Sequence, residues 1–126
     1  FKRLNDRYGH PFGDQVLAQF TTALEKALRE GDLVGRVGGD EFIVLLQDIP
    51  SNAAAVKWAR ELLAAVGGIR FFCGERVGIS CSIGIAAYPE HGTDYARLYT
   101  NADRALYRAK HSGKARCALY FPPPAR

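Results

Sequence analysis

"RVGGDEFIVLLQ", residues 36–47, places two glycines and two carboxylates directly before an apolar run. Two β-type runs, residues 33–37 and 41–47, flank Gly38 and Gly39, and glycine can take the positive φ values of a tight turn. The stretch therefore predicts a β-hairpin whose second strand is buried and whose tip carries the two acids.

The acids at the predicted tip, Asp40 and Glu41, are adjacent. At a turn both can stay ionised and hold a hard cation such as Mg²⁺ through oxygen ligands. The neighbouring glycines let a phosphate chain lie against backbone N–H groups. The competing interpretation is an ordinary hairpin turn with solvated acids, and turn chemistry alone favours it.

Composition indicates one compact domain, since the chain has 126 residues, of which 48% are apolar and 24% charged. The net charge of +4 suits an anionic small molecule, and with basic residues scattered and no aromatic-and-basic stripe apparent, we expect no nucleic-acid partner. No apolar run is long enough for a membrane span and no leader opens the chain, so we expect a cytoplasmic domain without membrane contact. The three cysteines lack metal-ligand spacing and are expected to be reduced core residues.

The rest of the chain alternates helical and strand patterns. Helices are predicted over 14–28, from Ser51 to Gly67-Gly68, and from Thr93 or Asp94 to 111–113. Apolar residues at three- and four-residue spacing predict their inner faces, which are Val16, Leu17, Phe20, Ala23, Leu24, Ala27 and Leu28, then Ala55, Trp58, Ala59, Leu62, Leu63 and Val66, then Leu98, Ala102, Ala105, Leu106 and Ala109. Strands are predicted at 69–73, at 77–86 after a join at 74–76, and at the edge over 117–121. Small residues alternate through the 77–86 strand, which lets a helix or ligand approach closely. This order predicts an α+β domain with an antiparallel-rich central sheet covered by helices.

The first fourteen residues, "FKRLNDRYGHPFGD", combine a cation, an amide, two acids and a glycine-punctuated loop at 8–13. Asn5 and Asp14 offer the donors and acceptors that the edge of guanine requires, because a carboxylate accepts and an amide both donates and accepts. The competing interpretation makes Asp14 the N-cap of the first helix.

Together these motifs resemble the GGDEF domain family, the diguanylate cyclases. The signature GGDEF stands unaltered at 38–42. Four further motifs occur in the same order as in the family: "FKRLND" and "GHPFGD" before the signature, and "CSIGIAAYP" at 81–89 and "NADRALYRAKHSGK" at 101–114 after it. The resemblance implies a fold like the palm of nucleotide cyclases, with a ferredoxin-like core. It also implies condensation of two GTP into cyclic di-GMP with release of two pyrophosphates, by a homodimer that uses Mg²⁺, with Mn²⁺ as an alternative.

The resemblance also implies residue roles. Asp40 is implied as metal ligand and proton acceptor, Glu41 as a second group at the metal site, and Lys2 as a stabiliser of charge on the reacting phosphates. The implied substrate-binding residues are Asn5, His10, Asp14, Gly38, Gly39, Lys110 and Lys114. Lys110 and Lys114 are one helical turn apart, and a solvated pair favoured by the helix dipole is the competing interpretation. Lys114 stands where the family usually carries Arg.

Arg29 and Asp32 fit the family's RxxD pattern ahead of the signature. The resemblance implies that they bind cyclic di-GMP as an inhibitory product, and Arg can fork onto phosphate while Asp accepts from guanine. The competing interpretation is an Arg that ends the first helix, followed by a turn at Gly31-Asp32.

The resemblance predicts a GGDEF domain over residues 1–121 that lacks its first strand, with a further metal-binding Asp expected before Phe1. Residues 122–126 contain three prolines and are expected to begin a linker to a downstream domain. Sensory or phosphodiesterase domains are the expected neighbours. Two functions follow: a cyclase, conditional on the upstream Asp, or an inactive module that binds cyclic di-GMP or senses GTP for an adjacent phosphodiesterase.

Overall fold

The computed structural model describes residues 10–38, 41–67, 71–72, 75–76, 81–113 and 116–121. Its elements, in chain order, are α1 (His10–Ala27), β1 (Leu33–Gly38), β2 (Glu41–Leu45), α2 (Asn52–Gly67), β3 (Phe71–Phe72), β4 (Glu75–Arg76), β5 (Ile83–Ile85), α3 (Tyr95–His111) and β6 (Cys117–Leu119). The chain divides into two compact units, residues 1–48 with 65–79 and residues 49–64 with 80–126.

In the first unit, α1 begins at His10, four residues before the predicted start. The prediction of a loop through 8–13 is therefore wrong over its described part, and the N-cap interpretation of Asp14 is wrong, because Asp14 is the fifth helical residue. Pro11 does not prevent the early start, since the first turn of a helix needs no N–H donor at that position. The predicted inner face is confirmed, with Val16, Leu17 and Leu24 buried.

Strands β1 and β2 form the predicted antiparallel hairpin, with Leu33 opposite Leu45 and Gly38 opposite Glu41. The prediction that the second strand is buried is wrong: residues 42–44 are half-buried and Leu45 is 46% exposed. In a two-stranded ribbon one face can be covered by a single helix while the other meets solvent. That cover comes from α1, whose Phe20 ring lies 5.3 Å from the Phe42 ring, between centroids.

Helix α2 is capped as predicted, since the Ser51 Oγ accepts a hydrogen bond from the Ala54 N–H at 3.1 Å. It ends at Gly67, the residue that the sequence marked as its stop. The predicted apolar face is confirmed, with Ala59, Leu62 and Val66 buried.

In the second unit, β5 and β6 pair in parallel, with Ile83 opposite Cys117. Helix α3 packs on both strands, and Gly84 explains how it comes so close. A Cβ at Gly84 would lie 2.8 Å from the Leu106 Cβ and closer still to the Ala102 carbonyl oxygen. The prediction that small residues in this strand admit a helix is confirmed at Gly84.

Strands β3 and β4 pair antiparallel, which corrects the predicted join at 74–76, because Glu75 and Arg76 are strand residues. The alternation predicted through residues 77–80 lies outside the described residues. Of the sheets formed by described residues, two are antiparallel and one is parallel.

Two of the three cysteines are described, and Cys81 and Cys117 are both free and half-buried. Burial raises the pKa of the Cys81 thiol to about 11, so this thiol stays protonated and unreactive near neutral pH. Within the described part of the chain, no helix is both long enough and apolar enough to cross a lipid bilayer.

Candidate functional site

The hairpin tip is framed by Gly38 and Glu41, which face each other in the register of β1 and β2. An irregularity in the pairing falls between Arg36 and Gly38, where the strands approach the tip. Glu41 is the first residue of β2 and is exposed to solvent. Gly39 and Asp40 lie outside the described residues, so the roles proposed for them stay predictions.

Carboxylate oxygen is the ligand type that Mg²⁺ prefers, and the exposed Glu41 fits that chemistry. The other predicted ligand, Asp40, is not described. Among the residues that the structure describes, no three His, Cys, Asp or Glu side chains gather into a metal-capable group. The metal site therefore stays a prediction that rests on the signature.

The base of the hairpin is organised by Asp32, which joins the segment after α1 to the end of the β2 segment. Its Oδ1 accepts the Gln47 backbone N–H at 2.9 Å. Its Oδ2 accepts the Arg29 backbone N–H at 2.9 Å and the Arg29 Nε–H at 3.2 Å. The Asp32 side chain has no accessible surface, because its own hydrogen-bond partners cover it.

These contacts lower the pKa of the Asp32 carboxyl from 3.8 to about 2. The Gln47 backbone N–H is the largest cause and the Arg29 side chain the second, while burial acts weakly in the opposite direction. Asp32 is thus a fixed negative charge at any physiological pH, already engaged with neighbouring donors.

Arg29 completes the cluster by donating from Nη2 to the Gln47 carbonyl oxygen. Arg29 and Asp32 therefore hold both backbone groups of one residue, Gln47. Half of the Arg29 side chain, 49%, remains exposed. Within the described residues Nη1 has no hydrogen-bond partner, so Arg29 retains donors for an anionic ligand.

Arg29 and Asp32, which the resemblance implies as one binding site, meet in a turn where the Asp32 N–H donates to the Arg29 carbonyl at 3.0 Å. Gly31 occupies that turn at φ +91°, as the competing interpretation expects. Gln47 was missed, and no local signal identifies it, because its backbone rather than its side chain is used and it lies fifteen residues away.

The remaining predicted site residues are placed only in part. Lys110 is exposed in the last turn of α3, within the second unit, beside Arg108 and His111. His10 and Asp14 are described only as helical backbone. Lys2, Asn5 and Lys114 lie outside the described residues, so the predicted guanine and phosphate contacts stay predictions.

His91 is a polar residue in the second unit that the sequence did not single out. It is only 9% exposed, and its Nδ1 accepts the Ala87 N–H at 2.8 Å. Its carbonyl accepts the Asn101 Nδ2–H at 2.6 Å, and its ring meets Tyr120 edge-on, with centroids 5.3 Å apart. His91 thus fastens the β5–α3 loop to both α3 and the segment after β6.

Comparison with known proteins gives a family match over most of the chain. A model of the family described as "Diguanylate cyclase, GGDEF domain" matches residues 1–116. The diguanylate cyclase TpbB of Pseudomonas aeruginosa is 45% identical over 115 residues, which are 90% of this chain and 26% of TpbB. The cyclic di-GMP phosphodiesterase PdeR of Escherichia coli is 37% identical and covers 97% of this chain, but the match takes up 18% of PdeR.

Solved structures of GGDEF domains also match this chain. The crystal structure of the TpbB GGDEF domain matches with a TM-score of 0.91 at 42% identity, covering 97% of this chain and 76% of that one. The GGDEF domain of DgcB from Caulobacter crescentus, solved with cyclic di-GMP, matches with a TM-score of 0.83 at 25% identity and covers 94% and 70%. The chain therefore spans about a quarter or less of the curated relatives named above, and it belongs to the GGDEF domain family.

Proposed function

We propose that the chain is the catalytic domain of a diguanylate cyclase, which condenses two GTP into cyclic di-GMP and two pyrophosphates. The observation that carries the proposal is the intact signature at 38–42, presented on a hairpin whose register sets Gly38 against Glu41. The 45% identity to the diguanylate cyclase TpbB supports it.

In the proposed reaction each of two facing domains holds one GTP. Each 3′-hydroxyl attacks the α-phosphorus of the other GTP. Two P–O bonds form, the two bonds between α- and β-phosphates break, and two pyrophosphates leave with the electron pairs. Asp40 accepts the hydroxyl proton, and Lys2, Lys110 and Lys114 neutralise phosphate charge. Phosphoryl transfer needs chiefly such positioning and charge stabilisation.

Asp40 and Glu41, with the Asp expected before Phe1, are the residues that would hold Mg²⁺ or Mn²⁺. The ion would supply further neutralisation of phosphate charge at the reacting centre. Asn5 and Asp14 would read the guanine edge, and Gly38 and Gly39 would let the triphosphate approach the hairpin backbone.

The test uses a longer protein that contains this chain and the residues before it, incubated with GTP and Mg²⁺, with the product identified by chromatography and mass. We expect cyclic di-GMP, and a loss of about 100-fold or more in turnover for Asp40→Asn or Glu41→Gln. Asp48→Asn, an exposed acid in the β2–α2 connection, is the matched control and should retain activity. A folded dimer that binds GTP but forms no product would exclude the cyclase.

We further propose that Arg29 and Asp32 form the site for cyclic di-GMP as an inhibitory product. Arg29 would contact the ligand, and Asp32, whose carboxylate is covered, would hold the Arg29 guanidinium. The exposed half of the Arg29 side chain supports this, together with the structure of the DgcB GGDEF domain with cyclic di-GMP. Arg29→Ala should weaken product binding about tenfold or more, measured by calorimetry, because a charge-assisted contact to phosphate is lost. Arg36→Ala, an exposed arginine on β1, is the control, and equal affinity in both variants contradicts the assignment.

A second candidate is an inactive module that binds GTP or cyclic di-GMP and regulates an adjacent phosphodiesterase. The 37% identity to the phosphodiesterase PdeR favours it. In that case GTP would change the rate of cyclic di-GMP hydrolysis by the longer protein, while no cyclic di-GMP would form.

A further inference from the structure

Helix α3 carries an excess of positive charge. It contains three Arg and one Lys against the single acid Asp103, a net charge of +3. These are four of the 17 basic residues of the chain, and the others are scattered, as the sequence indicated.

Three arginines and a histidine form a stripe on the solvent side of the helix. Arg97, Arg104, Arg108 and His111 are seven, four and three residues apart and all are exposed, so they follow one another along one face over about 21 Å. Asp103 lies about 100° around the axis from Arg104. The Asp94 Oδ2 lies 3.9 Å from the Arg97 Nε, in an exposed pair of the kind that contributes little.

Aromatic rings accompany this stripe. The Tyr107 ring stacks on His111 at 3.8 Å between centroids, and the Arg108 guanidinium lies 5.5 Å from the centre of the Phe121 ring. Tyr107 is 62% exposed and Phe121 is 65% exposed. Exposed rings beside basic side chains are the stacking platforms on which unpaired bases lie in single-strand-binding proteins.

We propose that the stripe of Arg97, Arg104, Arg108 and His111, with Tyr107 and Phe121, binds single-stranded nucleic acid without sequence preference. A duplex hides the faces of its bases and offers exposed rings little to stack on. A lipid surface would call for an apolar face, but the apolar face of α3 packs on β5 and β6.

The stripe is separate from the residue proposed to hold the triphosphate, because Lys110 lies about 120° around the helix from Arg104. The inference rests on exposed side chains of α3 and on Phe121, and it stands whether or not the chain is a cyclase.

The test is fluorescence anisotropy of a labelled oligothymidylate of about twenty nucleotides, titrated with the chain from about 50 to about 200 mM NaCl. We expect binding that weakens with salt. The double variant R104E/R108E should weaken binding about tenfold or more and lower the log–log salt slope by about 1.4, for two lost phosphate contacts.

The matched control is K26E/K57E, which makes the same charge change at exposed positions of α1 and α2. It should weaken binding less than about threefold, since the contacts themselves are untouched. Tyr107→Ala should weaken binding about fivefold or more, and Tyr107→Phe should restore it, because stacking needs the ring and not the hydroxyl. Unchanged thermal midpoints establish that the variants are folded. If R104E/R108E does not fold, R104Q/R108Q replaces it.

Several results would overturn the proposal: no anisotropy change, equal losses for both charge-reversed pairs, or displacement of the oligonucleotide by GTP with Mg²⁺. Binding to phosphatidylserine vesicles with no binding to the oligonucleotide would overturn it as well, by assigning the stripe to a lipid surface.

Discussion

The β1–β2 hairpin and the β5–β6 pair are both two-stranded among the described residues, but they are held in different ways. The hairpin exposes apolar side chains, with Leu33 at 58%, Val37 at 54% and Leu45 at 46%, and a carboxylate fixes its base. The β5–β6 pair is covered by a helix that approaches to backbone contact at Gly84. Hydrogen bonds at its base can hold a hairpin whose strands stay exposed to solvent. Close packing against a helix holds the β5–β6 pair, which is covered.

The largest difference between the two regions is expected at their glycines. Gly84→Val would force a side chain into the Ala102 carbonyl and Leu106, so we expect a loss of about 3 kcal/mol or more in the free energy of unfolding. Gly35→Val, in β1, meets no heavy atom within 4 Å of the new Cβ and should change stability by less than about 0.5 kcal/mol. Urea unfolding measures the stability of both variants. Equal losses would contradict the difference in packing between the two strand pairs.

Removal of the buried histidine should have the next largest effect. His91→Ala leaves the Ala87 N–H without its acceptor and opens space beside Tyr120, so we expect a loss of about 2 kcal/mol in thermal or urea unfolding. His111→Ala, an exposed histidine on α3, should cost less than about 0.5 kcal/mol. If the two variants lose the same unfolding free energy, His91 does not stabilise the β5–α3 loop.

The base of the hairpin should respond to pH through Asp32. Because the folded-state pKa lies at about 2, below the ordinary 3.8, the stabilisation is complete above about pH 5 and is lost as pH falls toward 2. Asp32→Asn should cost about 1–2 kcal/mol at neutral pH and flatten that dependence. Urea unfolding of the unchanged chain and of Asp32→Asn, from pH 6 to about pH 2, checks whether stability falls with pH as expected. An unchanged slope in the variant contradicts the role of Asp32.

The smallest expected effect concerns the start of α3. The Asp94 Oδ1 accepts the Arg97 N–H at 2.8 Å, so Asp94→Ala should cost about 1 kcal/mol in unfolding free energy. Thr93→Ala, at the other cap position that the sequence allowed, should cost less than about 0.3 kcal/mol. A larger loss for Thr93→Ala than for Asp94→Ala would show that Thr93 is the N-cap of α3.

Local features of the fold could be predicted from the sequence because their causes are local. Ser51 and Asp94 cap helices through backbone groups three residues away, and the glycines before Asp40 mark the hairpin. The predicted start of α1 is four residues too late, because the glycines and proline of residues 8–13 indicate a loop, although a proline in the first turn is compatible with a helix.

The candidate site could be predicted only where residue types and spacing specify it. The spacing of Arg29 and Asp32 identified them as a pair, but their common partner is the backbone of Gln47, which carries no sequence signal. The basic stripe escaped prediction because the Phe121 ring beside Arg108 lies outside α3. The pairing of β6 with β5, on which α3 packs, brings that ring to the helix.

The sequence by itself determined the family signature, the hairpin, the helix caps and the three apolar helix faces, because each depends on groups within a few residues of one another. Only the tertiary structure decided the parallel pairing of β5 with β6, the exposure of the hairpin strands and the engagement of Asp32 with Gln47. These depend on segments distant along the chain, where burial and hydrogen bonding follow from packing and not from the local pattern.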